Sequence, residues 1–520
     1  MVINNESRMV SDDIVFQEYK PLRNHLSKLR LDDSFFVIWS YIQHLQFNNQ
    51  IPNEIEVISD FLNADYIQKM RWCSAWELET LTREIIINGS ESGSDKTIRK
   101  WDYFAGSINK LKNLENKIAG VYVNQTNILA ELFRIAHRQF LWQAGPNSEF
   151  LTRYYKIFST PQLDEILQKS TELTTKNLYL VGMLFIGVYL KHPAINLPIN
   201  IDVKGLNQDN TAKFLKCFST TIDDLHKRVV EEQELNDKFA YSFSSLRAFP
   251  IIEMNYRGQE RLVCPLPTLL FWRITNGVYY SICNEKGFDK YFGASFQNYT
   301  GEVIKKAISA SRKINFSSEE QYFAGKNRKD SVDWIIYDDS SALFVECKTK
   351  RLKLPAKFEL NDNSYTNDEL EKMANFILQI YKTIKDYKEN RYPSFKFDEN
   401  RKIFPLVLTL ENWHLFGDKL PNEINKILIQ KLKQESIDLS YLEEMPYSIC
   451  SIDEFEKMVQ IIEKTGILNF MQNKVFDSEK KKWEFQSYMN SEFTEYYRNA
   501  KFLFEKDYNN IFSSVLKSYS

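Results

Sequence analysis

The chain has 520 residues, 43% hydrophobic and 26% charged, enough apolar material for about two to four domains with packed cores. Its 67 basic and 69 acidic residues leave a formal net charge of −2, so there is no global attraction to polyanions and a nucleic-acid partner must meet a local basic surface. The six cysteines (Cys73, Cys217, Cys264, Cys283, Cys347, Cys450) form no CxxC pair and have no histidine at zinc-ligand spacing, which predicts reduced thiols and a cytoplasmic chain.

The N-terminal stretch MVINNESRMVSDD lacks the basic-then-apolar pattern of a secretion signal. From about Asp12 to Arg247 apolar residues recur at three- and four-residue spacing, as in Phe35, Ile38, Tyr41, Ile42 and Leu45, and predict a mainly helical region over residues 1–245. Its longest apolar run, Leu178 to Leu190, falls short of the ~20 residues that span a bilayer and is expected to be a buried helix, with no membrane partner. The polar stretches NGSESGSDK (88–96) and NQDN (207–210) are expected to be a loop and a turn.

Near Phe249 the pattern changes. FPIIEMNY and RLVCPLP flank RGQE and predict a β-hairpin that opens a mixed α/β domain over residues 246–420. A helix is expected after Gly287, then the strands DWIIY and ALFVECK, a helix from Asn367 to Lys388, and the strand IFPLVLTL. Residues 421–520 read as a helical C-terminal region.

In Asp333-WIIYDDSSALFV-Glu346-Cys-Lys348, two β-prone runs surround an Asp/Ser-rich turn. With Asp338 to Ser341 as the loop, Asp333 lies across from Glu346, where cross-strand Cβ atoms are about 4.5–5.5 Å apart. The period of two keeps Lys348 on that face. Two carboxylates so close repel unless neutralised, and a hard divalent cation with oxygen ligands, magnesium first and manganese as a substitute, does this well. Such an ion polarises a phosphodiester oxygen and acidifies water, while an ammonium orients that water or stabilises the transition state.

This trio resembles the PD-(D/E)XK nuclease superfamily, whose pattern is an acid on one strand followed by acid, any residue and lysine on the next. The resemblance covers residues 285 to 415 and implies an α/β fold, with a restriction-endonuclease-like α-β-β-β-α-β core between a large helical N-terminal region and a helical tail. RKINF (312–316) or QYFAG (321–325) could supply the first strand. The resemblance also implies a metal-site acid on the first helix, for which Glu302 in YTGEVI is the best match, although Gln297 stands after Phe296 where many relatives have glutamate. Val332 stands where the family name has proline. Gln379 on the second helix falls where some related nucleases bring a glutamine to the site. CPLP, GFDKYFGASFQNY and LVLTLENWHLFG look like segments of uncharacterised bacterial proteins with nuclease cores. That likeness leads to an expectation of antiphage defence and of a homo-oligomer or a defence-system partner protein.

The resulting expectation is a magnesium-dependent endonuclease acting on DNA. Asp333, Glu346 and Lys348 are catalytic, Glu302, Asp333 and Glu346 ligate metal, and Lys350, Arg351, Lys353 and Gln379 contact nucleic acid. The alternatives are a non-catalytic binding module on the same fold and an RNA-cleaving toxin. Glu115-Asn-Lys117 and Glu479-Lys-Lys481 also match the tripeptide but read as solvated helix faces; Glu346 differs in following the apolar run ALFV. Trp413 and His414 read as packing residues.

Overall fold

The computed structural model describes residues 5–93, 96–199, 207–309, 311, 313–360, 364–415 and 417–516. The chain separates into two compact units, residues 1–288 with 506–520, and residues 289–505.

The first unit is mainly helical. The apolar run predicted as a buried helix lies in Thr175–Tyr189, where Leu178, Tyr179, Val181 and Tyr189 are wholly buried. Among the described residues no helix is long and apolar enough to cross a membrane. Of the stretch at 88–96, residues 94 and 95 lie outside the described residues. NQDN begins a helix: the Asn207 side chain accepts the Asn210 N–H, capping Gln208–Phe218.

The hairpin expected to open the α/β domain belongs to this first unit. Ile251–Tyr256 and Gln259–Val263 pair across Arg257 and Gly258, whose φ values of 53° and 82° suit a two-residue type I′ turn. The remaining partners of the hairpin come from the helical half. Ala194–Asn196 pairs with one edge and Ser219–Thr221 with the other. These short strands are the reason that the boundary falls at 288 rather than 245.

The second unit is built on a five-stranded mixed sheet. A leading helix, Phe288–Ile308, buries Phe292, Phe296, Tyr299 and Val303 at helical spacing. Gly301 lets it approach the sheet, since a Cβ there would come within 2.2 Å of the Trp334 ring. The outer strand Asn315–Ser318 pairs antiparallel with Trp334–Tyr337, which pairs antiparallel with the motif strand Ser341–Lys348. Thus the first strand lies at the end of RKINF, of which Arg312 is outside the described residues. QYFA instead forms a separate two-stranded ribbon with Asn327–Asp330.

After the motif strand comes the cover helix Ser364–Lys388, with Met373, Ala374, Ile377, Tyr381 and Ile384 fully buried. The chain returns as Lys402–Thr409, parallel to the motif strand. Covered and flanked in this way, Ala342 to Val345 have no exposed surface, as expected of a central strand. A further strand, Ser448–Ser451, pairs parallel with Lys402–Thr409 and was not foreseen. It leads directly into Ile452–Thr465, through a capping box between Ser451 and Glu454. The segment after 421 is therefore continuous with the α/β unit up to residue 505.

Candidate functional site

The motif hairpin sets the site geometry. Trp334 faces Val345 and Ile335 faces Phe344, so the register carries Asp333 to the level of Glu346. The turn is tied by Asp338, whose Oδ1 accepts the Ser340 and Ser341 N–H groups at 2.9 and 2.8 Å. Asp333 Oδ2 accepts the Cys347 N–H at 2.6 Å, which fixes its carboxylate against the motif strand.

Glu346 is 3% exposed, and among the described residues its Oε2 has no hydrogen-bond partner. Its Oε1 accepts from Lys348 Nζ at 2.7 Å. The same ammonium donates to Gln379 Oε1 at 3.0 Å and lies 5.1 Å from the Phe376 ring centre. The sequence thus brings Asp333, Glu346, Lys348 and Gln379 to one place. Gln379 reaches it because the cover helix crosses the motif strand at this level.

Burial pushes the Asp333 carboxyl up to about 7, with the Glu346 carboxylate adding to the effect and the Cys347 N–H and Lys348 opposing it. Glu346 is also raised, by burial, against the pull of Lys348. A third charge acts on both acids, that of Glu319. Its backbone N–H donates to the Asp333 carbonyl at 2.8 Å, and its Oε2 accepts from Gln297 Nε2 at 3.2 Å. Glu319 belongs to no motif; only the pairing of the preceding strand, Asn315–Ser318, with Trp334–Tyr337 brings it here.

Glu302 is placed differently from the expectation. It is exposed, one residue beyond the Gly301 that meets Trp334, so helical phase turns it away from the sheet side on which Gln297 reaches Glu319. Among the described residues no group of three or more His, Cys, Asp and Glu side chains could hold a metal ion, so the three-carboxylate shell with Glu302 is not assembled. Two carboxylates remain, Asp333 and Glu346. That donor set suits magnesium, which is commonly held by one or two carboxylates with water and phosphate oxygens completing the shell. The unpartnered, buried Glu346 Oε2 is the atom that such an ion would satisfy.

The basic run expected to contact phosphate is divided. Arg351 is buried and pairs with Glu411, which stays at about 2 although burial would raise it, because Arg351 and Lys357 outweigh burial. The Arg351 guanidinium, expected to meet phosphate, is thus engaged by a carboxylate within the fold. Lys350 is half-buried and its carbonyl accepts from Trp413 Nε1, while Lys353 is exposed at the start of a short helix. Trp413 is buried packing, and His414 Nδ1 meets Glu484 at 3.0 Å.

No protein-family model matches the chain, and no curated protein does. Among solved structures, protein VC1899 from Vibrio cholerae is similar at 11% identity and a TM-score of 0.16, over 59% of this chain. The match spans 56% of the length of that protein.

Proposed function

We propose that the corner formed by Asp333, Glu346 and Lys348 hydrolyses phosphodiester bonds in DNA, as a metal-dependent endonuclease of the PD-(D/E)XK type on a restriction-endonuclease-like core. The observation that carries this reading is the buried, unpartnered Glu346 Oε2 at the level of Asp333, with Lys348 on the same strand face. The element order adds support: helix, antiparallel three-strand meander, helix and parallel strand.

Asp333 and Glu346 would hold the cation, magnesium or manganese, which when bound would polarise the phosphate and acidify water. Lys348 Nζ, oriented by Glu346 and Gln379, positions the attacking water and offers a proton to the charge that develops on the phosphate oxygens. The Asp333 carboxylate, anchored by the Cys347 N–H, keeps its other oxygen available for the cation. The helical unit then serves sensing, targeting or assembly, and a place in cytoplasmic antiphage defence belongs to the same proposal on sequence resemblance alone.

The test is incubation of the full chain with supercoiled, linear and single-stranded DNA and with RNA, with and without magnesium. Lys348→Ala and Asp333→Ala are each expected to lower magnesium-dependent DNA cleavage by at least about 100-fold. Undiminished cleavage by both variants rejects the site, and cleavage confined to RNA rejects DNA as the substrate.

A further inference from the structure

We infer that the ribbon Gln321–Ala324 and Asn327–Asp330 grips an unpaired strand of the DNA substrate, by stacking a base on Phe323 and pairing phosphates with Lys326 and Arg328. This rests on the nuclease reading of the neighbouring corner.

The ribbon turns through Gly325 and Lys326, with Gly325 at φ 65°, the pattern of a type II′ turn with glycine first. Period-two alternation gives it two different faces. On the inner face Tyr322 and Lys329 are cross-strand neighbours, and both donate to Asp386 Oδ2 on the cover helix, at 2.8 and 2.7 Å. Tyr322 also packs on Tyr392, with ring centres 5.0 Å apart. This fixes the orientation of the ribbon.

On the outer face Phe323 is the neighbour of Arg328. Phe323 is 68% exposed, and the Arg328 guanidinium is held by the Gln321 side chain. Lys326 is exposed at the turn. A single exposed phenylalanine is ordinary on a protein surface. Here, however, Phe323 is the cross-strand neighbour of Arg328, with Lys326 at the adjoining turn, on a ribbon whose other face is pinned. The acids of this segment, Glu319, Glu320 and Asp330, lie at its root; Glu320 accepts the Ser394 N–H, and Glu319 meets Gln297. The cationic residues Lys326 and Arg328 therefore lie at the turn and on the outer face that carries Phe323.

The root of the ribbon is also the root of the candidate site. The Glu319 N–H donates to the Asp333 carbonyl, and the Ser331 N–H to the Glu320 carbonyl. Phe323 is four residues from Glu319, at most about 14 Å along an extended strand. At about 3.4 Å per nucleotide of a stacked strand, that is about four nucleotides from Glu319, whose N–H meets the Asp333 carbonyl. An aromatic face stacks on any base, and cationic neighbours track the backbone, which is the chemistry of single-strand binding.

The experiment measures binding of one labelled oligonucleotide sequence to the full chain in calcium, as single-stranded DNA, duplex DNA and RNA. Phe323→Ala and Phe323→Leu are expected to weaken single-stranded DNA about tenfold, while Phe323→Trp retains affinity. Lys326→Ala should weaken binding and flatten its salt dependence by about one charge. The unfolding midpoint of each variant should match the wild type, because both side chains are exposed. Unchanged affinity in Phe323→Ala and Lys326→Ala, or losses confined to duplex DNA or RNA, overturns the ribbon assignment. If the wild type still shows magnesium-dependent cleavage that Lys348→Ala lacks, only the ribbon falls; if the wild type neither binds nor cuts DNA, the nuclease reading falls with it.

Discussion

Both units bury carboxylates, and one cluster in each treats them in opposite ways. In the first unit Glu84 is fully buried but meets the Arg83 guanidinium at 2.8 Å, the Tyr19 hydroxyl at 2.8 Å and the Gln233 amide at 2.8 Å. Glu79 meets Arg247 and the Trp142 indole, and although burial would raise it, Arg247 holds it below the usual carboxylate range. In the second unit Asp333 and Glu346 share one lysine, and both are raised. Burial is common to the two regions, so burial does not mark a site. What separates this corner from Glu79 and Glu84 is a shortage of compensating charge around two adjacent acids.

Breaking the first kind of arrangement should have the largest effect on stability. Arg83→Met leaves Glu84 buried without its guanidinium and is expected to cost about 3–5 kcal/mol. For a unit of this size that lowers the unfolding midpoint by roughly 10 °C. A loss below about 1 kcal/mol would show that Tyr19 and Gln233 alone suffice and would weaken the contrast.

The second kind should respond in the opposite sense. Asp333 titrates at about 7 when folded against 3.8 as the ordinary value, so between these limits the folded state keeps a proton that the unfolded chain releases. Stability is therefore lost as pH rises from about 4 to about 7, by an amount on the order of 4 kcal/mol. Asparagine retains an oxygen for the Cys347 N–H and carries no charge. In metal-free protein, Asp333→Asn should raise the unfolding midpoint at pH 8 and match the wild type near pH 4. A gap independent of pH would mean that the pair is not short of charge.

A cation should relieve the same shortage. At about 100 times its dissociation constant, magnesium is expected to stabilise the wild type by roughly 2.7 kcal/mol at pH 8 and less at pH 5, where Asp333 is protonated. Thermal unfolding of Glu346→Gln should show little of this shift. An equal shift in that variant would move the cation elsewhere.

The parts legible in the sequence were those set by local periodicity. The Asp/Ser turn and the alternation of WIIY and ALFV were enough to give the cross-strand register, and the three- and four-residue spacing gave the leading and cover helices. Less legible were contacts closed over distance. Arg351 reads as a free basic residue until Glu411, sixty residues away, is brought beside it. Glu319 acquires its place only through strand pairing, and Ser448–Ser451 is too short to show a period. The Ile251–Tyr256 hairpin was recognised as an element but assigned to the wrong unit, because its partners are strands of three residues within helical sequence.

Gln379 lies between these cases, and its substitution gives the smallest expected effect. As a residue on an exposed helix flank it would be dispensable, whereas its 3.0 Å contact makes it one of two side-chain acceptors that hold Lys348 Nζ. Gln379→Ala removes one acceptor while Glu346 still binds the ammonium, so the lysine stays charged but swings more freely. The expected loss is about 1 kcal/mol of transition-state stabilisation, some fivefold in cleavage rate, with DNA affinity and unfolding midpoint unchanged. A loss of affinity at constant rate would instead make Gln379 a substrate contact, and no change in either would return it to the helix flank. A buried ion pair in the first unit answers through stability, whereas Lys348 should answer through rate.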